Sequence, residues 1–352
     1  MSPERNVIGW DLGGAHLKAA WFDGDGNLQQ VRQTATPLWQ GLQHLDAALA
    51  EMNEALPVRD ADHFLTMTGE LVDLFEDRRA GVVQLSTHMA ACLPAGRLRL
   101  YAGPHGFVPV PEAAHLHNHI ASANWHATAS WAARRHGDAL LIDLGSTTAD
   151  LLLLHGGRVD NLGYSDRERL ALQELVYTGV ARTPVMAVVE RVPFDGAWQG
   201  VAAEQFASMA DVYRVLGWLP QDADLYPTGD GRGRDLPSSI RRLARMLGAD
   251  LADADAPAWI RVARYVADRQ LDALAQAAQR QLSRGLRADA PLLGAGVGRF
   301  LLQRLAGRLG CPYLDIDTLI GPPQRGGLAP SVCAPAVAVA QLGMQETLAC
   351  AS

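Results

Sequence analysis

The sequence predicts an α/β protein of two domains, each built on a sheet that carries the same hairpin. Chain length, an internal repeat and a glycine-rich turn late in the chain point to it. At 352 residues the chain exceeds the size at which one hydrophobic core stops growing, so two domains are the expectation. The repeat consists of Val7 to Leu28 and Ala139 to Val159. Each copy is an apolar run ending in Asp-Leu-Gly, a turn of small residues, a second apolar run, and a Gly-bearing turn into a third strand. Apolar runs punctuated in this way are hairpin signals, and self-similarity is read before any single motif. The late turn, Leu292-Leu-Gly-Ala-Gly-Val-Gly298, ends a strand and opens a helix.

The other elements follow in order. Leu38 to Leu56 spaces Leu42, Leu45, Leu49 and Met52 helically, which predicts a helix packed on the first sheet. His63 to Met67 reads as a short strand running into Thr68-Gly-Glu70, and Ile120 to Arg135 as a helix joining the halves. Leu219 to Pro237 shifts to Pro, Gly and Asp, the mark of a long surface loop able to cover a cleft. Trp259 to Leu286, Val297 to Leu309 and Ala334 to Leu348 carry helical patterns. The expected organisation is a first domain over 1–135, a second over 136–330 with loop 219–237 inserted, and 331–352 as a helix returning across a central cleft.

Hydrophobic residues make up 48% and charged residues 20% of the chain, ample for a packed core. The formal charge of −7 supplies no basic footprint for nucleic acid or an anionic membrane, so small molecules are the expected partners, with homo-oligomers left open. Cys92, Cys311, Cys333 and Cys350 lack CxxC spacing and read as reduced thiols of a cytoplasmic protein, not as a zinc set or disulfide framework. Met1 to Asn6 leads straight into an apolar strand without the regions of an export signal, and no run reaches the length of a membrane helix.

The turns carry the chemistry. Gly13 and Gly14 permit positive φ and a close approach of backbone N–H groups to an anion. Asp11, at a strand end, suits a hydrated Mg²⁺, which prefers one or two carboxylates plus phosphate oxygens and waters. Lys18 offers a point charge to a phosphate. In the second copy Gly145, Ser146, Thr147 and Thr148 offer backbone and hydroxyl donors, and Asp143 repeats Asp11. One such hairpin alone reads as an ordinary solvated turn; two matched copies read as a phosphate clamp. Gly294, Gly296 and Gly298 add a third turn whose helix N-terminus suits an anion or a nucleotide.

In this order, Asp11-x-Gly-Gly, Asp143-x-Gly-Ser-Thr-Thr and Gly294-x-Gly-x-Gly298 resemble the two phosphate motifs and the adenosine motif of the actin, sugar-kinase and Hsp70 ATPase superfamily. The resemblance implies duplicated ribonuclease H-like domains around a cleft that holds a di- or triphosphate. Met67-Thr-Gly-Glu-Leu71, Ala121-Ser-Ala-Asn-Trp125, Asp143 to Asp150 and Tyr177-Thr-Gly-Val-Ala-Arg-Thr-Pro184 are more similar to the hydantoinase/oxoprolinase-related proteins of the tetrahydromethanopterin-linked one-carbon pathway. Archaeal members of that group build methanofuran. The implied activity is a transferase of an alkyl or aryl group other than methyl, joining an aminomethylfuran-methyl diphosphate to the phenol of glutamylated tyramine with loss of pyrophosphate.

Displacing pyrophosphate from a furfuryl-type carbon places negative charge on the leaving group. Mg²⁺ at Asp11 and Asp143, Lys18 and the turn donors are suited to stabilise it. Asp150 or Glu70 is the candidate base for the phenol, with Asp150 equally suited to bracing its hairpin. ATP-dependent phosphoryl transfer or ring opening is the alternative, as is a nucleotide-dependent regulator. The Asp base that sugar kinases place between their phosphate motifs has no clear equivalent here, which disfavours the kinase reading; ATP is a possible but not a favoured ligand. His115-Leu-His-Asn-His119 alternates imidazoles but lacks carboxylate or thiol partners and reads as a solvated loop. Trp125, on the helix with Asn124, reads as packing before ring stacking, and His88 as locally satisfied or cleft-lining. Arg182 suits either a substrate carboxylate or a helix end.

Overall fold

The computed structural model describes residues 5–221, 223–224 and 227–351. Met1 to Glu4, the residues Asp222, Leu225 and Tyr226 of the 219–237 segment, and the side chain of Cys350 lie outside the described residues. In chain order the elements begin with β1 (Asn6–Leu12), β2 (His16–Phe22), β3 (Leu28–Ala35), α1 (Gln43–Ala55), β4 (Ala61–Met67), α2 (Arg78–Cys92), β5 (Leu98–Tyr101), β6 (Phe107–Pro109), α3 (His117–Ile120) and α4 (Asn124–His136). Next come β7 (Ala139–Leu144), β8 (Ala149–His155), β9 (Arg158–Val159), α5 (Asp166–Leu172), β10 (Leu175–Val176), β11 (Arg191–Phe194), β12 (Ala197–Gly200), α6 (Met209–Val215), α7 (Leu236–Met246) and α8 (Ala256–Leu282). The chain ends with β13 (Leu292–Ala295), α9 (Arg299–Leu309), β14 (Tyr313–Asp315), α10 (Asp317–Ile320) and α11 (Ala334–Ala351). These elements form two compact units, Met1–Asp138 with Leu154–Asp160 and Ile316–Ser352, and Ala139–Leu153 with Asn161–Asp315.

The first unit holds a sheet in the order β3-β2-β1-β4-β5-β6. Strands β1, β2 and β3 pair antiparallel, whereas β4 runs parallel to β1 and β5 parallel to β4. Alternation along β1 decides what each face does. Ile8, Trp10 and Leu12 enter one core with Leu45, Leu49 and Met52 of α1 and Val82, Leu85 and Met89 of α2. Gly9 faces α11, where a Cβ would lie 2.0 Å from the Ala336 carbonyl oxygen. The small residues Ala336, Ala340 and Gly343 let that helix press on the strands, Gly343 directly against Phe64 of β4.

The second unit repeats the plan. Its sheet runs β10-β8-β7-β13-β14, with β13 parallel to both β7 and β14. Both sheets thus place an edge strand, β3 or β10, and the two strands of a hairpin beside two parallel strands, the duplicated ribonuclease H-like arrangement. Trp259, Val262 and Val266 of α8 and Tyr213 of α6 fill the core with Leu301 and Leu305 of α9.

Several expectations are corrected. The helix expected over Ile120 to Arg135 starts only at Asn124, as α4, because Ser122 takes a left-handed φ of 52° and separates Ile120, the last residue of α3, from it; both helices belong to the first unit, and the second unit starts at Ala139, just after α4. Leu38 to Leu56 divides into a 3₁₀ turn at Leu38–Gln40 and α1. The third strand of the second copy is only two residues, β9, and β10 pairs with the other end of β8. Within the 219–237 segment, Asp230 and Gly233 are tied to the buried Arg242 of α7 by bonds of 3.0 and 3.2 Å.

Candidate functional site

Each unit ends its first strand in the same turn. In the first unit Gly13 N–H donates to His16 O at 2.9 Å; in the second Gly145 N–H donates to Thr148 O at 2.9 Å. The copies match residue for residue, pairing Asp11 with Asp143, Gly14 with Ser146 and Lys18 with Asp150. Positive φ is not what the glycines supply here, since neither Gly13, Gly14 nor Gly145 is left-handed. Gly14 is required by space, its Cβ position lying 2.7 Å from Val72 Cγ1.

Asp11 is buried, on the face of β1 turned to α11. The Lys18 ammonium, opposite it in register, lies 4.0 Å from Oδ2, and Oδ1 has no hydrogen-bond partner among the described residues. Burial raises its pKa above the usual carboxylate range, against the pull of Lys18 and Asn124. Asn124 starts α4 directly after the Ser122 break. Ser122 Oγ donates to Glu70 Oε1 at 2.8 Å, and the close approach of Gly81 of α2 to the Glu70 backbone holds the Thr68-Gly-Glu70 turn in place. The buried Cys333 thiol nearby is pushed up to about 12 by burial, so it is no thiolate at neutral pH.

In the second unit three segments meet at the end of β7. Gly145 O accepts from Val180 N at 3.1 Å, and Ser146 O accepts from Ala181 N and Arg182 N at 3.1 and 2.8 Å. Gly179 is pressed on the turn, its Cβ position 2.3 Å from Thr147 N. Behind it, Gln270 donates to Thr178 Oγ1 at 2.7 Å and Gly179 O at 2.9 Å, and Tyr213 donates to Gln270. The Thr147 and Ser146 hydroxyls lie 3.4 Å apart. The third turn closes on the same strand: Gly296 has φ 81° with its Cβ position 2.4 Å from Asp143 Oδ1, and Gly298 N–H donates to Leu144 O at 2.8 Å. Gly294 packs on Tyr313. The structure therefore gathers Asp143, Gly145 to Thr148 and Gly294 to Gly298 in one unit, and Asp11, Gly13, Gly14, Lys18 and Glu70 in the other.

Asp150 accepts from Arg169 at 2.7 Å, and Arg169 also donates to Glu174 O at 3.1 Å. Burial raises the Asp150 pKa and Arg169 opposes it. Of the two roles left open at Asp150, this pairing supports bracing. Arg169 gives no signal in the sequence beyond the Ser165-x-x-Glu168 capping box that starts its helix. Asn124 and Ser122 fall in a motif singled out above, yet their contacts to Asp11 and Glu70 are invisible before folding. His117 bonds Ala114 O at 3.1 Å and His119 stacks edge-on with His105, so the alternating imidazoles do not converge. Trp125 is buried against His126, and His88 pairs with Asp46. The backbone of Arg182 serves the Ser146 turn.

The model of the hydantoinase/oxoprolinase family matches residues 63–346. The chain belongs to this family. It is 29% identical over 246 residues to the (4-{4-[2-(gamma-L-glutamylamino)ethyl]phenoxymethyl}furan-2-yl)methanamine synthase of Methanocaldococcus jannaschii, covering 69% of this chain and 72% of that one. The synthase of the same name from Methanococcus vannielii is 31% identical over 126 residues, 36% of this chain and 56% of its own length. Among solved structures, acetone carboxylase in its nucleotide-free form aligns with a TM-score of 0.55 at 11% identity, covering 87% of this chain and 68% of that one. That likeness agrees with a two-unit α/β fold built on duplicated sheets. Among the described residues no helix is long and apolar enough to cross a membrane.

Proposed function

We propose that the protein is a transferase of methanofuran biosynthesis that joins an aminomethylfuran-methyl diphosphate to the phenol of γ-glutamyltyramine and releases pyrophosphate. The observation that carries this reading is the relatedness, over 69% of the chain, to a synthase whose name describes a phenoxymethyl-furan amine. That compound contains an ether between a phenol oxygen and the methylene on a furan. To make it, the phenol oxygen attacks the methylene, the methylene–oxygen bond to the diphosphate breaks, the bonding pair leaves with pyrophosphate, and the phenol proton passes to a base. Charge grows chiefly on the leaving group, so cationic and N–H donors aimed at it are the effective catalysts.

Lys18 in the first unit is assigned to phosphate oxygens and so, separately, are the Gly145 to Thr148 donors in the second. The buried Asp11 Oδ1, without a partner among the described residues, fits a carboxylate held for a cation, and Asp143 is its counterpart. When bound there, Mg²⁺ supplies charge neutralisation to the departing pyrophosphate. With Asp150 engaged by Arg169, Glu70, fixed by Ser122, is assigned the phenol proton. Gly294, Gly296 and Gly298 shape the end of β7, and the reaction needs no ATP. The test is incubation of the chain with Mg²⁺, the furan diphosphate and γ-glutamyltyramine, read by mass spectrometry. The expected result is equal amounts of ether and pyrophosphate without ATP, reduced about a hundredfold or more in Asp11→Asn. ATP hydrolysis with no ether formed overturns the reading in favour of an ATPase or kinase.

A further inference from the structure

Three metal-ligating side chains meet on the first unit outside the residues assigned above. His88 and Cys92 stand one turn apart on α2 and so share a helix face. Asp46 comes from the first turn of α1. One ligand atom from each lies within 4.8 Å of the other two, and His88 Nε2 is 2.6 Å from Asp46 Oδ1. Asp46 and Cys92 are exposed and His88 half-buried, so an ion reaches them from solvent.

A sulfur, an imidazole and a carboxylate form a donor set of Zn²⁺ character, whereas Mg²⁺ takes oxygen ligands. Tetrahedral zinc, with bonds of about 2.0 Å to N or O and about 2.3 Å to S, needs ligand atoms about 3.3–3.6 Å apart. The three atoms are close enough to adopt that spacing by small side-chain rotations, with His88 and Asp46 opening slightly. Cys92 also lines a cavity of about 710 Å³ with Asn53, Pro57 and Arg59, which leaves room for a solvent ligand. We propose that Asp46, His88 and Cys92 form a three-ligand Zn²⁺ site that ties α1 to α2 and keeps one coordination position open.

The scattered cysteine spacing hides this set, because its ligands are one thiol, a histidine on the next turn and a carboxylate from another helix. Titration of the full chain with Co²⁺, a coloured substitute for Zn²⁺, tests it. The expected result is one Co²⁺ bound with a thiolate-to-metal charge-transfer band that Zn²⁺ displaces. The band is lost in Cys92→Ser, and affinity falls at least tenfold in His88→Gln and Asp46→Asn. As a second readout on the unmodified chain, Zn²⁺ protects Cys92 from alkylation by iodoacetamide. Absence of the band, its persistence in Cys92→Ser, or alkylation of Cys92 unaffected by Zn²⁺ overturns the site.

Discussion

Two buried residues show how partners decide what an ionisable group does. His63 lies on β4, accepting from Trp10 Nε1 of β1 at Nδ1 (3.1 Å) with Nε2 3.0 Å from Val58 O. These partners require the neutral ring with the proton on Nε2, and burial lowers its pKa from 6.5 to about 4. The unfolded chain takes up that proton near the ordinary value, so the stabilisation is complete above pH 6.5. It is lost as pH falls towards 4, by about 3 kcal/mol in all. Imidazole NMR should find His63 uncharged down to pH 5; a midpoint near 6.5 would contradict the assignment. Asp150 differs, because its charge is matched by a buried Arg169. Asp150→Asn strands that cation and is expected to cost about 3 kcal/mol in denaturant unfolding, while kcat stays within about threefold. A loss of about a thousandfold in kcat at unchanged stability would instead make Asp150 the base.

At the scale of elements, the hairpin repeat and the strand-turn-helix after Leu292 were legible because each is a local pattern in which apolar runs stop at Asp and Gly. Contacts between distant segments were not. The grip of the Tyr177 to Pro184 segment on the Ser146 turn depends on Gln270 of α8, a residue with no local signature. The β11–β12 hairpin does carry a local signal: Asp195 and Gly196 both take positive φ, 47° and 74°, the turn for which Asp-Gly is the strongest short signal. The break at Ser122 has no local signal, because Ala-rich sequence on both sides favours helix and the contact of Ser122 to Glu70 is tertiary. Packing at Gly179 gives an element-scale prediction. Gly179→Ala pushes a methyl into the Thr147 backbone, so affinity for the diphosphate substrate is expected to fall at least tenfold, with a stability cost of about 1–3 kcal/mol. Calorimetry showing unchanged diphosphate affinity would remove the 145–148 turn from the binding site.

For the whole molecule, duplication explains why the two copies carry unlike charges at one position. Lys18 and Asp150 are equivalent; the first faces Asp11 across a strand pair and the second is held by Arg169. One copy thus keeps a cation beside its turn and the other a structural ion pair, a division of labour available to a duplicated unit. The central claim is that the chain forms the ether by displacing a diphosphate with the phenol oxygen. Its most direct test is to label the phenol of γ-glutamyltyramine with ¹⁸O and react it with the furan diphosphate, Mg²⁺ and the purified chain. The account predicts that the label is retained in the ether and absent from pyrophosphate, with no ATP consumed. Label appearing in phosphate or pyrophosphate, or an ether that forms only when ATP is hydrolysed, would contradict it.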